Sequence, residues 1–414
     1  MKSHSALLAA SLVLTPLAGA QIPSSQRAAD QILPVAAPIV SIAPAAPAAP
    51  VYAPTSRVAE PGVPRTLDGH PDLQNVVWAG NFFGMIEAVP MMLPPELVLS
   101  EEKAKAAFDK MMAMFTGNPA MKAALEADPE ASALLANASG FPLVRGQRRS
   151  RLVVQPADGK IPYTAAARTE ASGAMSRSSK ANNPEERGLS ERCVDLGGQP
   201  PMAMMNPFQP RQFVQTPSHV VINIEWGDEA RLIPFAAAHG PEALHPWMGD
   251  AIAHWEGDTL VIETTGFSAK DRMRGALPTS LILNPDSKVT EHYTRVSKDE
   301  LLYQFTIEDP KIYTAPWLAE YSLFRAPFRM YPSSCHEENY SLPNILSGQR
   351  VTDAHRIEAF KSSDANGDGK LDKEEYKVLL TTFGVANQLE TLFAQRDANK
   401  DGFVSAEEYK NPLP

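Results

Sequence analysis

His219-Val220-Val221-Ile222-Asn223-Ile224-Glu225-Trp226 alternates with a period of two. Successive side chains of an extended strand point to opposite faces, so Val220, Ile222, Ile224 and Trp226 share one face. The same period recurs over Lys288 to Val296 and over Leu301 to Glu308, where Tyr303, Phe305 and Ile307 lie opposite Gln304, Thr306 and Glu308. Turn signals separate these runs: Gly227-Asp228, Gly257-Asp258, Asn284-Pro285 and Ser297 to Glu300. Roughly eight candidate strands lie between residues 218 and 325. Short sequential connections favour an antiparallel meander, closed as a barrel or packed as a sandwich. A small barrel can hold one small ligand in its interior.

Upstream of these strands the period changes. Ala104, Phe108, Met111, Met112 and Phe115 recur every three to four residues, which predicts a helix. Gly117-Asn118-Pro119 breaks it before a second helical run ending near Ala138. This helical insertion, residues 100–138, is expected to pack on the strands through its Met-rich face; a lid over a ligand site is the alternative. Together these runs form one domain over residues 65–350, long enough for a sizeable core.

The N-terminal 64 residues are of another kind. Lys2, an apolar run from Ala6 to Ala18 and the small residues Ala18-Gly19-Ala20 read as a signal peptide over residues 1–20. That run is too short to span a bilayer, and no other segment approaches the required length. Residues 21–64, with Ala43-Pro44-Ala45-Ala46-Pro47-Ala48-Ala49-Pro50 at their densest, read as an extended Ala/Pro-rich disordered linker. Export to a secreted or periplasmic location follows as an expectation. The net charge of −10 argues against nucleic-acid partners.

Downstream, two twelve-residue stretches carry oxygen donors at fixed intervals. The first runs from Asp364 to Glu375 and the second from Asp397 to Glu408, their starts 33 residues apart. In the first, Asp364, Asn366 and Asp368 offer side-chain oxygens at positions 1, 3 and 5. Gly369 permits the bend at position 6, Lys370 offers its carbonyl, Asp372 acts directly or through water, and Glu375 closes at position 12. The second repeats the scheme with Asp397, Asn399, Asp401, Gly402, the carbonyl of Phe403, Ser405 and Glu408. Six to eight hard oxygens at this spacing suit Ca2+. Ser405 gives the second loop one carboxylate fewer, so weaker binding is expected there.

Apolar residues flank both loops at helical spacing: Ile357 and Phe360, then Tyr376, Leu379 and Leu380, then Leu389, Leu392 and Phe393. Leu371 and Val404, at position 8 of each loop, are placed to pair as a short sheet. Residues 353–411 thus resemble the EF-hand calcium-binding family. One departure stands out: only Tyr409 and Lys410 follow Glu408 before Asn411-Pro412, so the last exit helix is a stub. That favours a structural or buffering ion over a sensor, whose exit helices must swing.

Residues 66–350 resemble a family of uncharacterised exported bacterial proteins. The likeness rests on Asp68-Gly69-His70-Pro71-Asp72-Leu73 with Trp78, on Glu191-Arg192-Cys193, and on Trp255-Glu256-Gly257-Asp258-Thr259-Leu260-Val261. It continues in Asp309-Pro310 through Pro316-Trp317 and in Cys335-His336-Glu337-Glu338-Asn339-Tyr340. The likeness implies no activity. Cys193 and Cys335 are the chain's two cysteines, and an even count in an exported protein favours a disulfide.

No set of residues names a reaction, so no catalytic residue is assigned. His254, Glu256 and Asp258 read as a solvated hairpin tip, or as an acid/base or ligand pair if His254 and Glu256 share a face. Glu291-His292 and His336-Glu337-Glu338 offer similar groups. Convergence of His292, Glu225, Gln304 or His254 on one enclosed cavity would favour an enzyme acting on a small molecule. The fold class is therefore α+β: an antiparallel β-rich domain with a helical insertion, followed by a C-terminal α-helical pair. The expected function is that of an exported calcium-binding protein whose other partner is an unknown small molecule or extracellular partner.

Overall fold

The structure, a computed structural model, describes residues 53–410 apart from 81–84, 90–92, 118–139, 173–180, 182, 189–190, 195–197, 203–209, 242–244, 271, 275–278, 338 and 383–385. The signal-like segment, residues 21–52 and the second helical run of the insertion lie outside the described residues. Two compact units emerge, one of residues 1–176 and 189–338 and one of residues 177–188 and 339–414.

In chain order the first unit holds β1 (Trp78–Ala79), β2 (Val98–Leu99), α1 (Glu101–Thr116), β3 (Leu143–Val144), β4 (Gln147–Arg149), β5 (Val153–Gln155) and α2 (Ala165–Ser172). There follow β6 (Arg211–Gln215), β7 (His219–Ile224), β8 (Glu229–Pro234), β9 (Asp250–Glu256), β10 (Thr259–Thr265), β11 (Met273–Arg274), β12 (Leu281–Ile282), β13 (Lys288–Arg295), β14 (Glu300–Glu308) and β15 (Trp317–Arg325). Ten of these strands form one sheet in the order β8-β7-β6-β1-β15-β14-β13-β10-β9, with β5 also on β15. Every ladder in it is antiparallel.

The expected barrel or sandwich is corrected to a single curled sheet that does not close. Its two edges touch at one isolated bridge, Phe235 to Ala253. That bridge is parallel, so it does not continue the antiparallel ladders of the sheet.

The hydrophobic pattern sets which face turns inward. Val220, Ile222 and Ile224 of β7 are fully buried, with Leu260, Ile262, Val289, Tyr303, Phe305, Ile307, Tyr321 and Leu323. Trp226 departs from the expected face: the strand ends at Ile224, and Trp226 opens a turn in which Gly227 takes φ 76°. The outer face of β14 and β15 is also covered. Gln304 and Glu320 are buried there, so the polar half of the alternation is not solvated.

The cover comes from the end of the expected linker. Thr55 donates from its backbone N to Glu320 Oε2 at 3.0 Å and from Oγ1 to Glu320 Oε1 at 2.5 Å. Arg57 Nε donates to Gln304 Oε1 at 2.6 Å, and Glu60 N donates to Val296 O at 2.8 Å. Residues 53–64 therefore lie along the sheet instead of continuing the free linker. Proline-rich composition sets an extended backbone, and extended backbone is what a sheet face or edge can hold.

Helix α1 matches the first half of the helical insertion. Ala104 and Met111 are buried with Met85, Leu93, Leu99 and Phe141, and Phe108 packs against them. Cys193 and Cys335 form a disulfide with Cα atoms 5.7 Å apart.

The second unit holds α3 (Ser341–Ser363), β16 (Lys370–Leu371), α4 (Lys373–Thr382), α5 (Leu389–Arg396), β17 (Val404–Ser405) and α6 (Ala406–Lys410). Helix α3 runs through the boundary expected at 350–353. Phe360, Leu371, Tyr376, Leu379, Leu380, Val404 and Tyr409 form a core of their own, with Leu389, Leu392 and Phe393 packed against it.

Candidate metal centre

The C-terminal unit places the two oxygen-rich stretches as loops, one between α3 and α4 and one between α5 and α6. Strands β16 and β17 pair them antiparallel, Lys370 with Ser405 and Leu371 with Val404. Leu371 and Val404 are fully buried, so apolar burial at position 8 locks the register of the two loops.

Both loops fold through the same hydrogen bonds. In the first, Asp368 N donates to Asp364 Oδ1 at 3.2 Å and Gly369 N to Asp364 Oδ2 at 2.9 Å. In the second, Asp401 N donates to Asp397 Oδ1 and Gly402 N to Asp397 Oδ2, both at 3.0 Å. Asn366 Oδ1 and Asn399 Oδ1 accept from Asp368 N and Asp401 N at 2.8 and 2.9 Å. Asp368 Oδ1 and Asp401 Oδ1 accept from Lys370 N and Phe403 N at 2.9 and 3.0 Å. Acidic and amide side chains thus wrap the backbone around a common centre, as loop turns of Asp and Asn do.

The closing glutamates reach back across each loop. Glu375 Oε1 accepts from Ala365 N at 3.0 Å, and Glu408 Oε1 accepts from Ala398 N at 3.1 Å. Their second oxygens accept from position 9, Asp372 N at 3.0 Å and Ser405 N at 2.9 Å. Asp372 Oδ1 and Ser405 Oγ in return accept from Glu375 N and Glu408 N at 2.8 and 3.2 Å. This reciprocal box caps the start of α4 and of α6, so one glutamate both closes its loop and begins the next helix. The Ser405 N–H is the main influence holding the Glu408 carboxyl below its ordinary range, with further help from the Ser405 hydroxyl and the Asn399 and Ala398 N–H groups.

Backbone signs repeat as well. Gly369 and Gly402 at position 6 take φ 80° and 83°. At position 4 the loops differ in chemistry and agree in shape: Gly367 takes φ 70° and Lys400 takes φ 61°. Lys370 Nζ lies 5.2 Å from the centre of the Phe403 ring, joining the loops at position 7.

The donor set fits a hard cation. Each loop offers carboxylates, an Asn oxygen and a backbone carbonyl, with no sulfur or imidazole, which is the choice of Ca2+ or Mg2+ over softer ions. The set is mixed. Among the described residues, no group of three or more His, Cys, Asp or Glu side chains is gathered as a metal site by itself.

The polar groups weighed as acid/base or ligand candidates in the first unit behave differently. His254, Val261, His292, Gln304 and Glu320 form one register row across β9, β10, β13, β14 and β15. His254 and Glu256 do share the outer face, Nε2 to Oε1 3.3 Å apart. Yet Glu320 is roofed by Thr55 and Arg149 and Gln304 by Arg57. Burial, with the Arg57 guanidinium adding to it, pushes the His292 imidazole down to about 4. Glu225 stands apart, accepting from Tyr331 N at 2.9 Å. Asp258 at the hairpin tip pairs with Arg65 at 2.8 Å. His336 and Glu337 are exposed, and Glu338 lies outside the described residues.

Glu291 points to the opposite face from His292. Its carboxylate takes a bidentate pair from Arg231, Nη1 to Oε1 at 3.1 Å and Nη2 to Oε2 at 2.5 Å. The Tyr293 and Tyr303 hydroxyls donate to Oε1 at 3.0 and 2.8 Å. Burial holds both tyrosines well above their ordinary value, so they remain donors. The alternation Val289, Glu291, Tyr293 was the available signal for an inward glutamate. Nothing local marks Arg231 as its partner 60 positions away.

A family model described as EF hand matches residues 357–380 and 389–413. No curated protein and no solved structure matches the chain. The likeness of residues 66–350 to exported bacterial proteins gains no support from these comparisons. The C-terminal segment carries a pair of EF-hand motifs, a type that binds divalent cations.

Proposed function

We propose that the EF-hand pair holds two Ca2+ ions. The first is held by Asp364, Asn366, Asp368, the Lys370 carbonyl, Asp372 and Glu375. The second is held by Asp397, Asn399, Asp401, the Phe403 carbonyl, Ser405 and Glu408. The observation that carries this reading is the shared hydrogen-bond scheme of two loops yoked by one ladder. The ion's role is structural or buffering. Among the described residues helix α6 has five, Ala406–Lys410, and Pro412 opposes a longer one, so the lever is too short to uncover a groove in the manner of a sensor.

The reading includes an exported location, supported by the signal-like residues 1–20 and by a disulfide, which persists in oxidising compartments. There, dissociation constants of about 10⁻⁴–10⁻³ M suffice. The interior of the sheet is filled by Tyr293, Tyr303, Phe305, Trp317 and Tyr321, which weighs against an enzyme chamber there. Among the described residues no helix is long and apolar enough to cross a membrane.

Calorimetric titration of EDTA-treated protein with Ca2+ tests the reading. Two binding events are expected, the weaker lost in Glu408→Gln and the stronger in Glu375→Gln. No heat of binding at millimolar Ca2+ would reject it.

A further inference from the structure

Residues 55–60 cross the outer face of β15, β14 and β13 through polar contacts. The Thr55 N–H and hydroxyl both donate to Glu320, and the Thr55 carbonyl accepts from Gln304 Nε2 at 3.0 Å. Arg149 Nη2 donates to the Thr55 hydroxyl oxygen at 3.1 Å. Two residues on, Arg57 Nε donates to Gln304 Oε1 at 2.6 Å, and its guanidinium faces the carboxylates of Glu256 and Glu320. Arg145, on the turn between β3 and β4, donates through Nη1 to the carbonyls of Ser56 and Val58 at 3.2 and 2.8 Å. Glu60 N donates to Val296 O at 2.8 Å.

These contacts are of two kinds. The N–H groups of Thr55 and Glu60 and the carbonyls of Thr55, Ser56 and Val58 are groups that any extended peptide offers. The Thr55 and Arg57 side chains carry the identity, and residues two apart on an extended backbone face the same side. Main-chain hydrogen bonds for affinity, with alternate side chains for specificity, are how an extended peptide is read by a sheet protein.

The segment has no apolar anchor. No apolar side chain of residues 53–62 is buried, and the first that is, Val63, follows the Pro61-Gly62 turn. Gln304, Glu320 and Arg149 beneath it are nevertheless buried. Lifting the segment returns these three polar side chains to water, where their hydrogen bonds are replaced at small net cost. A segment held in this way can leave without unfolding the sheet.

We propose that residues 55–60 are a latch seated in a peptide-binding groove, and that the groove takes an extended segment of a partner protein carrying Ser or Thr and, two residues on, Arg. Glu320 accepts the hydroxyl and the first N–H, Gln304 reads the carbonyl between them, and Gln304 with Glu256 receives the guanidinium. The latch competes at the effective concentration of a tethered chain, on the order of millimolar, so the groove is closed to weak partners. The assignment is independent of the calcium reading, because it concerns the other unit.

The test uses the full-length protein and a fluorescein-labelled peptide of residues 53–60, Ala-Pro-Thr-Ser-Arg-Val-Ala-Glu, followed by fluorescence anisotropy. Thr55→Ala with Arg57→Ala in the protein weakens the latch. That variant should bind the peptide one-to-one and roughly tenfold or more tighter than the natural chain, whose latch competes. A peptide carrying the same two substitutions should not bind, and adding Glu320→Gln to the variant should weaken binding about tenfold. Equal binding by the two proteins, or of the two peptides, would overturn the proposal. If the variant does not fold, amide exchange of the natural protein decides. The Thr55 and Glu60 amides should exchange on the order of a hundredfold faster than those of Phe305 and Tyr321, and faster still when millimolar peptide displaces the latch. Equal rates at the four amides, or no response to peptide, sinks the proposal.

Discussion

Lys400 shows how much a single backbone sign reveals. It occupies the left-handed region at φ 61°, where Gly367 stands in the first loop at φ 70°. A Cβ in that region costs roughly 1–2 kcal/mol. Glycine's larger unfolded-state entropy recovers part of that difference. Lys400→Gly should therefore stabilise the second loop by about 0.5–1 kcal/mol, and Gly367→Lys should destabilise the first by a similar amount. Urea unfolding of the Ca2+-free protein, followed by a probe in the C-terminal unit, checks both signs. His292 belongs to the same scale. Its folded imidazole titrates at about 4, below the ordinary 6.5, so its stabilisation is complete above pH 6.5. As pH falls toward 4, the unfolded chain takes up a proton that the folded one refuses, and stability declines. The loss should be on the order of 2 kcal/mol once partial exposure is allowed for. His292→Gln should flatten the stability profile between pH 6.5 and 4; an unchanged slope would refute the assignment.

At the scale of elements, the brevity of α6 poses the main question, since five residues rarely hold a helix alone. The Ser405–Glu408 box caps its start. Arg396, the last residue of α5, caps its end: Nη1 donates to Glu408 O at 3.1 Å and to Tyr409 O at 3.0 Å. Among the described residues those carbonyls have no helical partner beyond them. The guanidinium also lies 5.5 Å from the Tyr409 ring centre. Arg396→Met should cost about 2 kcal/mol in the C-terminal unit, read as faster amide exchange over residues 404–410 than over α3. Asn411-Pro412 set the expectation of a short last helix, of which the described residues hold Ala406–Lys410, and the pairing of Leu371 with Val404 was legible from their shared loop position. The cap of α6 was not, because Arg396 looks like any surface arginine ending a helix until the chain brings Tyr409 over it. Strands β7, β13 and β14 were likewise readable from their period, whereas two-residue strands such as β1 carry no period to read.

For the molecule as a whole, the β-rich unit is joined inside by side chains where its backbone leaves the sheet open. Arg231 on β8 and Glu291 on β13 reach each other through the interior, while among the described residues the edges share the single Phe235–Ala253 bridge. Removing one partner strands a buried charge, which costs about 3–5 kcal/mol. Arg231→Met and Glu291→Gln should each destabilise by that order, and the double variant by clearly less than their sum. Additive losses in urea unfolding would mean that the two charges do not act as a pair.

The sequence by itself determined what depends on near neighbours: the strand period, the turn glycines and the two oxygen-rich loops. Each is a pattern within about a dozen residues, where covalent geometry alone brings groups together. Only the tertiary structure decided that the sheet stays open, that residues 53–64 roof it, and that His292 and Glu291, adjacent in sequence, serve opposite faces. It also decided that Arg211 lies buried, its Nε without a hydrogen-bond partner among the described residues. The physical reason is common to all four: burial and charge pairing depend on residues far apart in the chain, and their energies exist only once folding has made them neighbours.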